Sequence, residues 1–589
     1  MSSGNVRWLQ AARCKSKVDN NIKLLNNKIV MTGGWAYSAI AADGDYGTAT
    51  NNIVSISDAD GNINYIVGAK IRNGEGNAVE NSVIINDSHA SRVVGAEVNL
   101  GDANKNSVNI SASSLGYTMT GNVYGGISQY GNSVENNVKT FNAISKNIIG
   151  GQTQNYGDAS DNHVEIINSR IEKVYGGQTQ NYGDAYNNSV IVENSNVSEL
   201  FGGYSDNGKV YDNSVTVSGN SVVTNIWGGN GKDIVTVNGN SSVSSIDVGD
   251  GDDIITVSSE AKVGEINLGA GNDTLITSSG GNIINAGSGS NKITVNSDAG
   301  TEIIKGEAAK NIINVVGAKY VSIECGDTIT EDELWAYEEG KLTGSAKEKI
   351  DHYWDGTLEG DTVTVSDTDE ININGSTGND KMVLSGLGSN SNIYISDADD
   401  GNDYIEISNI GFADIAGGNG DDEYVIDWRT VGVATIRNSN DPWPESDHWA
   451  DVETGIKEEN DTLVLKNVKF DEVEFGWVAG YFEYHNQTVT EVLRIEDKNN
   501  SKHYVDIAFW NENNMGSVKF DDVILTGTDI NNMLNSSLTM SVANTGISEV
   551  CNAITSFSDA SLAGTENMIP AFGKGSSDSD SKVIISANI

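Results

Sequence analysis

The chain is short of the residues that staple, kink or charge-balance a compact domain. Its 589 residues include only three prolines, three cysteines (Cys14, Cys325, Cys551) and six histidines (His89, His163, His352, His448, His485, His503). Cysteines so widely separated build neither a disulfide framework nor a zinc site. The histidines are scattered and H-E-x-x-H is absent, which argues against a zinc protease. No G-x-S-x-G elbow marks a lipase. Basic residues are scarce too: 36 Lys and Arg stand against 82 Asp and Glu, a net charge of −46. A phosphate backbone or an anionic membrane needs the opposite sign, so nucleic acid and anionic lipid are not expected partners. A surface this acidic instead calls for cations. No apolar run reaches the roughly 18 residues of a membrane-spanning helix, so no transmembrane segment is expected. The first 30 residues hold no apolar core of the kind a cleaved secretory signal carries. An apolar helical pore-forming region is missing as well.

Glycine is abundant, at 66 residues, and it recurs in phase. Double glycines fall at Gly125-Gly126, Gly150-Gly151, Gly176-Gly177, Gly202-Gly203 and Gly228-Gly229, spaced by 25, 26, 26 and 26 residues. The decapeptide GGQTQNYGDA occurs unchanged at Gly150–Ala159 and Gly176–Ala185. After each pair comes an Asn and an alternating run: NNVKTF, NHVEII, NSVIVE, NSVTVS. Weaker copies lie upstream, at Gly68, Gly95 and Gly33-Gly34. Each unit reads as a turn, a period-2 strand, a second turn and a strand returning to the glycines. That is one rung of a parallel β-solenoid, whose rungs stack at about 4.8 Å around a Val/Ile interior. Stacked rungs see like neighbours, which is what keeps two copies identical. Asn136, Asn162, Asn188 and Asn213 are expected to form an Asn ladder. Tyr124, Tyr175, Phe201 and Trp227, which precede the glycines, are expected to form an aromatic ladder, read as architecture ahead of sugar binding.

Downstream the period tightens. GGNGKDIVTV (Gly228–Val237), GDGDDIITV (Gly249–Val257) and GAGNDTLIT (Gly269–Thr277) bring Asp233, Asp253 and Asp273 in at intervals of 20, where the long rungs carry Asn. A second block holds GDTVTVS at Gly360, GSTGNDKMVL at Gly375, DDGNDYIEI at Asp399 and GGNGDDEYV at Gly417, the last fitting G-G-x-G-x-D-x-U-x throughout. These residues resemble the calcium-binding nonapeptides of the repeats-in-toxin family of type I secreted bacterial proteins. The resemblance implies calcium as the cofactor, held between successive turns. The ligating turns would be those of Gly228, Gly229, Gly231 and Asp233; of Gly249, Gly251 and Asp253; and of Gly269, Gly271 and Asp273. In the second block they would centre on Asp380, Asp403, and Gly417, Gly418, Gly420 and Asp422. Glycine admits the left-handed turn, and an Asp with stacked backbone carbonyls supplies the hard oxygens calcium takes. Only one side of each coil of about 20 residues carries the motif. The expectation is therefore one column of sites, ending where Asn291 replaces Asp. Asp45, Asp102, Asp158 and Asp184 sit in Gly-Asp turns without that spacing and read as turn residues.

The expected fold is all-β: an elongated parallel β-solenoid, a β-helix running into a β-roll like that of the family, with a C-terminal β cap. The expected divisions are an N-terminal segment (1–30), rungs of about 26 residues (31–227), a first roll block (228–316), a partly helical insertion (317–359), a second block (360–430), a capping β region (431–530) and a tail (531–589). The tail has a helical stretch near Gly546–Phe557 and ends SDSDSKVIISANI, similar to the uncleaved export signals of type I substrates. Two functions fit. One is a secreted, non-catalytic, calcium-binding protein at the bacterial surface or outside the cell, an adhesin or surface-layer component with glycan or protein partners. The other is a polysaccharide lyase or epimerase on the same scaffold. The only basic and aromatic cluster offered to the second is DPWPESDHWADVE at Asp441–Glu453.

Overall fold

The computed structural model describes residues 5–15, 22–114, 118–296, 301–306, 310–326, 335–337, 340–354, 357–437, 460–478, 483–484, 487–488, 492–508, 510, 515–544 and 583–585. They form two compact units, Met1–Lys319 and Tyr320–Ile589. The first is built almost entirely of strands wound as a parallel solenoid, and the second combines parallel solenoid rungs with antiparallel strands and helices.

In the first unit each long rung supplies three strands. One rung runs Ala159–Ser160, His163–Ile167 and Arg170–Thr179, and the next Ala185–Tyr186, Ser189–Glu193 and Asn196–Ser205. Each strand pairs in parallel with its counterpart one rung on, as in Ala159↔Ala185, Val164↔Val190 and Val174↔Leu200. The two identical decapeptides lie on adjacent rungs in direct register, Gly151 on Gly177, Gln152 on Gln178 and Thr153 on Thr179. The middle strand alternates strictly, so Val83, Val108, Val138, Val164, Val190, Val215 and Val235 form one fully buried column. Burying each such side chain contributes about 1.5–3 kcal/mol, and β-branched residues suit the pleat. The residue before each ladder Asn from Asn81 to Asn213 is left-handed: Glu80, Lys105, Glu135, Asp161, Asn187 and Asp212 have φ between 52° and 58°.

The short strands form a separate eight-stranded sheet from Lys23–Leu25 to Val210–Tyr211. Beyond Tyr211 it stops, and rungs such as Ile234–Val237 with Ser242–Asp250 have two strands each. The contraction of the period from 26 to 20 residues is the loss of that third strand. The double glycine has a packing cause. A Cβ on Gly151 would lie 2.5 Å from the ladder oxygen of Asn162, and one on Gly150 would lie 2.2 Å from the Gly176 carbonyl. The sheet bends around its own Asn ladder there, and no side chain fits.

In the second unit Tyr320–Glu324 pairs in parallel with Glu370–Asn374, and Glu359–Thr368 with Asn379–Asp397. Rungs continue through Tyr404–Ala416, Glu423–Asp427 and Asp461–Lys466. Tyr320–Glu324, inside the segment expected as an insertion, is thus a rung strand, and the helix Ser345–Trp354 follows it. Three antiparallel strands, Val473–Val478, Val492–Asp497 and Asn500–Ala508, join the end of the rungs through Asn500–Ala508, which pairs with Val431–Arg437. A helix, Gly527–Asn544, buries Ile530 and Leu534. It is not among the elements expected from sequence and begins inside the expected capping β region (431–530); the expected helical stretch near Gly546–Phe557 lies outside the described residues.

Candidate metal centre

The turn between the short and middle strands carries a buried polar ladder. The backbone N–H of Asn136 donates to Asn162 Oδ1 (3.0 Å), that of Asn162 to Asn188 Oδ1 (3.1 Å) and that of Asn188 to Asn213 Oδ1 (3.1 Å). Each amide nitrogen also donates, Asn162 Nδ2 to Ser133 O and to Asn188 Oδ1, both at 3.0 Å. The ladder extends upstream through Asn106, Asn81 and Asn52 to Asn27. An Asn is suited to the place because it offers an acceptor to one rung and donors to its own turn.

The three downstream Asp residues occupy this same column. Asn213 N–H donates to Asp233 Oδ1 (2.7 Å), Asp233 N–H to Asp253 Oδ1 (2.6 Å) and Asp253 N–H to Asp273 Oδ1 (2.8 Å). Asp273 N–H then reaches Asn291 Oδ1 (2.9 Å), so the column returns to amides where the sequence places its end. The first oxygen of each carboxylate does what the Asn oxygen does. The second replaces an NH2 donor with an acceptor. Asp233 Oδ2, Asp253 Oδ2 and Asp273 Oδ2 are buried without a hydrogen-bond partner, and all three residues are 1% exposed. A buried, unpaired carboxylate oxygen is costly. Burial accordingly pushes Asp233 up to about 7, Asp253 up to about 8 and Asp273 up to about 6, with carboxylate neighbours adding to the rise.

The surrounding turns are rich in glycine. Gly249 and Gly269 hold φ of 86° and 85°, a left-handed conformation that glycine enters without strain. A Cβ at Gly228 would lie 3.0 Å from Asp233 Oδ2. Added at Gly249, Gly269 and Gly271 it would lie 1.8, 1.9 and 2.0 Å from the carbonyl oxygens of Gly229, Gly249 and Gly251. Carbonyls of one turn therefore face the bare Cα atoms of the next. Among the described residues no three Asp, Glu, His or Cys side chains converge as a ready-made cage. A cation here would take its ligands from one or two carboxylates and the stacked carbonyls, a hard set that fits calcium rather than zinc.

The second unit repeats the column. Asp361 N–H donates to Asp380 Oδ1 (2.5 Å), Asp380 N–H to Asp403 Oδ1 (2.8 Å), Asp403 N–H to Asp422 Oδ1 (2.9 Å) and Asp422 N–H to Asp461 Oδ1 (2.8 Å). Here the members differ. Asp403 Oδ2 is buried and unpartnered. Asp380 has both oxygens bonded by Ser376, through N–H to Oδ2 (2.8 Å) and Oγ to Oδ1 (2.7 Å), and Asp422 Oδ2 accepts the Tyr424 hydroxyl (3.3 Å). Burial raises Asp380 to about 7, and burial with the adjacent Asp422 and Asp380 charges pushes Asp403 up strongly. A Cβ on Gly417 would meet Asp422 Oδ2 at 2.0 Å. Gly418 and Gly420 repeat the left-handed turn, at φ of 91° and 140°.

Asp361 and Asp461 belong to this column and escaped the sequence reading, because neither follows a G-x-G turn. The signal available was the shared pattern of Asp before an alternating run, DTVTV and DTLVL. Asp102, Asp158 and Asp184 form a second, outer ladder with Asn77 and Asn132, accepting backbone N–H groups at 2.8–2.9 Å. In the aromatic column Tyr175, Phe201 and Trp227 stack, at centroid distances of 4.7 and 6.3 Å. Tyr124 is separated from them by Ile149. A further aromatic stack, Tyr130–Tyr156–Tyr182, went unnoticed in the sequence. The Asp441–Glu453 segment lies outside the described residues. No helix among the described residues is long and apolar enough to cross a membrane. The chain matches no family model, no curated protein and no solved structure.

Proposed function

We propose that this chain is a calcium-binding β-solenoid of the repeats-in-toxin type, exported from a bacterium and serving a non-catalytic adhesive or surface-layer role outside the cell. The observation that carries the reading is the set of orphan carboxylate oxygens: Asp233, Asp253 and Asp273 in a first-unit column continued on both sides by hydrogen-bonded amides, and Asp403 in the second-unit column, where the second oxygens of Asp380 and Asp422 are bonded. Calcium would supply the positive charge that these oxygens lack. Asp233, Asp253 and Asp273 would hold it in the first unit together with the glycine turns, and Asp380, Asp403 and Asp422 in the second. With calcium scarce inside the cell, the carboxylates either take up protons or repel one another, and the Asp-bearing rungs are the least stable. In millimolar calcium outside, binding to the folded state alone pulls the equilibrium toward it.

The test is a calcium titration of the metal-stripped chain by circular dichroism, with magnesium as control. A gain in β signal or in melting temperature with calcium, and little with magnesium, supports the reading. A chain equally folded and equally stable in chelator and in calcium would sink it.

A further inference from the structure

Along one outer face of the first unit the bend at the double glycines makes a groove. Upstream it is filled by the chain itself. Ile66 and Val67, consecutive on a strand, are both buried, as are Val93 and Val94, so both faces of the strand are covered. Ile40, Val67, Val94 and Ile127 form a small outer core, with Tyr65 and Tyr124 packed on it.

Downstream the same column opens. Its register runs Ile149, Tyr175, Phe201, Trp227. Across the bend Tyr204 sets its ring edge-on against both Tyr175 (5.9 Å) and Phe201 (5.8 Å). Rings within the stack lend their faces to one another. Trp227 is the last ring, because the next rung carries Asp247 at that register. Its indole stays 40% exposed and Tyr204 37%. Asn225, two residues before the indole on the same strand, and Asp247 place an amide and a carboxylate beside it. The rung spacing of about 4.8 Å is close to the length of one sugar residue in an extended chain.

We propose that this open end of the groove binds a neutral pyranose chain, with Trp227 as the stacking platform and Asn225 and Asp247 as partners for sugar hydroxyls. The axial C–H face of a pyranose packs on an indole face, whose electron-rich surface favours polarised C–H groups. Amide and carboxylate groups at the rim then fix the hydroxyls, the usual division between apolar floor and few polar contacts. Charge sets the class. Asp247 lies at the platform, the groove's Glu199 is already paired with Lys173 at 2.7 Å, and the chain as a whole carries −46. An acidic polysaccharide is repelled. This gives the adhesive role proposed above its ligand class and rests on that reading; Trp227 and Asp247 adjoin the Gly228 and Gly249 turns of the first Asp column.

The full-length chain, with calcium present, is run by affinity electrophoresis through gels containing a soluble β-glucan, a galactomannan or polygalacturonate. The β-signal response to calcium is recorded on the same samples. At least one neutral polymer is expected to retard the wild type, Trp227→Ala to lose retardation five-fold or more, and polygalacturonate to have no effect. Trp227→Phe, which keeps the stack, and Asp247→Asn are expected to weaken retardation in a chain with unchanged circular dichroism, and they carry the test if Trp227→Ala does not fold. No retardation of the folded wild type, equal retardation of all variants, or retardation by polygalacturonate overturns the proposal. So does self-association in sedimentation that Trp227→Ala abolishes, which would assign the groove to a second copy. Sugar binding without any calcium response would leave this site standing and remove the calcium reading alone.

Discussion

One atom separates an Asn rung from an Asp rung. In Asn162 the second polar atom is a donor and finds Ser133 O and Asn188 Oδ1. In Asp253 it is an acceptor and finds nothing. Changing Asp233, Asp253 and Asp273 together to Asn should therefore raise the urea midpoint of the metal-free chain and remove most of its response to calcium. Equal midpoints, or an unchanged response, would show these oxygens to be irrelevant. Asn162→Ala should cost about 2–3 kcal/mol, because the Asn136 backbone N–H loses its buried acceptor; equilibrium unfolding measures it. The pH dependence has a definite sign. The folded-state values of about 7, about 8 and about 6 for Asp233, Asp253 and Asp273 lie above the roughly 3.9 of a free Asp. Between these limits the folded chain holds protons that the unfolded chain has released. The stabilisation is complete below about pH 4 and is lost as the pH rises through 6 to 8. Metal-free protein should thus melt lower at pH 8 than at pH 5, and the triple Asn variant should flatten that slope. A melting temperature that rises across this window would contradict it.

The rung was legible in the sequence because its constraints are local and repeated. Alternation in NSVIVE and NSVTVS gave the middle strand, and the recurrent Asn gave the ladder that the structure extends from Asn27 to Asn311. Replacement of Asn by Asp in phase placed Asp233, Asp253 and Asp273 in one column before any coordinates. Hidden features depend on contacts between distant parts of a coil. The double glycine reads as a turn, yet its cause is the Asn side chain packed against it about eleven residues later in the chain. Asp461 follows Asp422 in the column across a gap of 39 residues, so no periodicity points to it. The aromatic groove depends on which faces of a bent strand meet. Gly151→Ala, innocuous on propensity alone, should destabilise the first unit by about 2 kcal/mol through overpacking against Asn162. A thermal melt unchanged from wild type would refute the packing account of the glycine pair.

At the scale of the molecule, 82 acidic residues against 36 basic ones make self-repulsion a standing term in stability. Monovalent salt screens it over about 8–10 Å at physiological strength, so the metal-free chain should gain stability between 10 and 300 mM sodium chloride. Calcium at the same ionic strength should add clearly more if it binds at the buried oxygens as proposed, because screening does not reach them. If sodium chloride alone matches calcium, the cation requirement is diffuse and the columns bind nothing specifically. The inner ladders also have a direction, opposite to that of the outer ladder through Asp102, Asn132, Asp158 and Asp184. In every step of each column the earlier residue is the donor and the later one the acceptor, from Asn27 to Asn311 and from Asp361 to Asp461. The inner acceptor of a rung arrives only with its successor, whereas its outer acceptor is already in place on the rung before. Construction can thus advance with the polypeptide as it emerges, amino end first, each new coil docking through its outer ladder on the one before it and completing that coil's inner ladder.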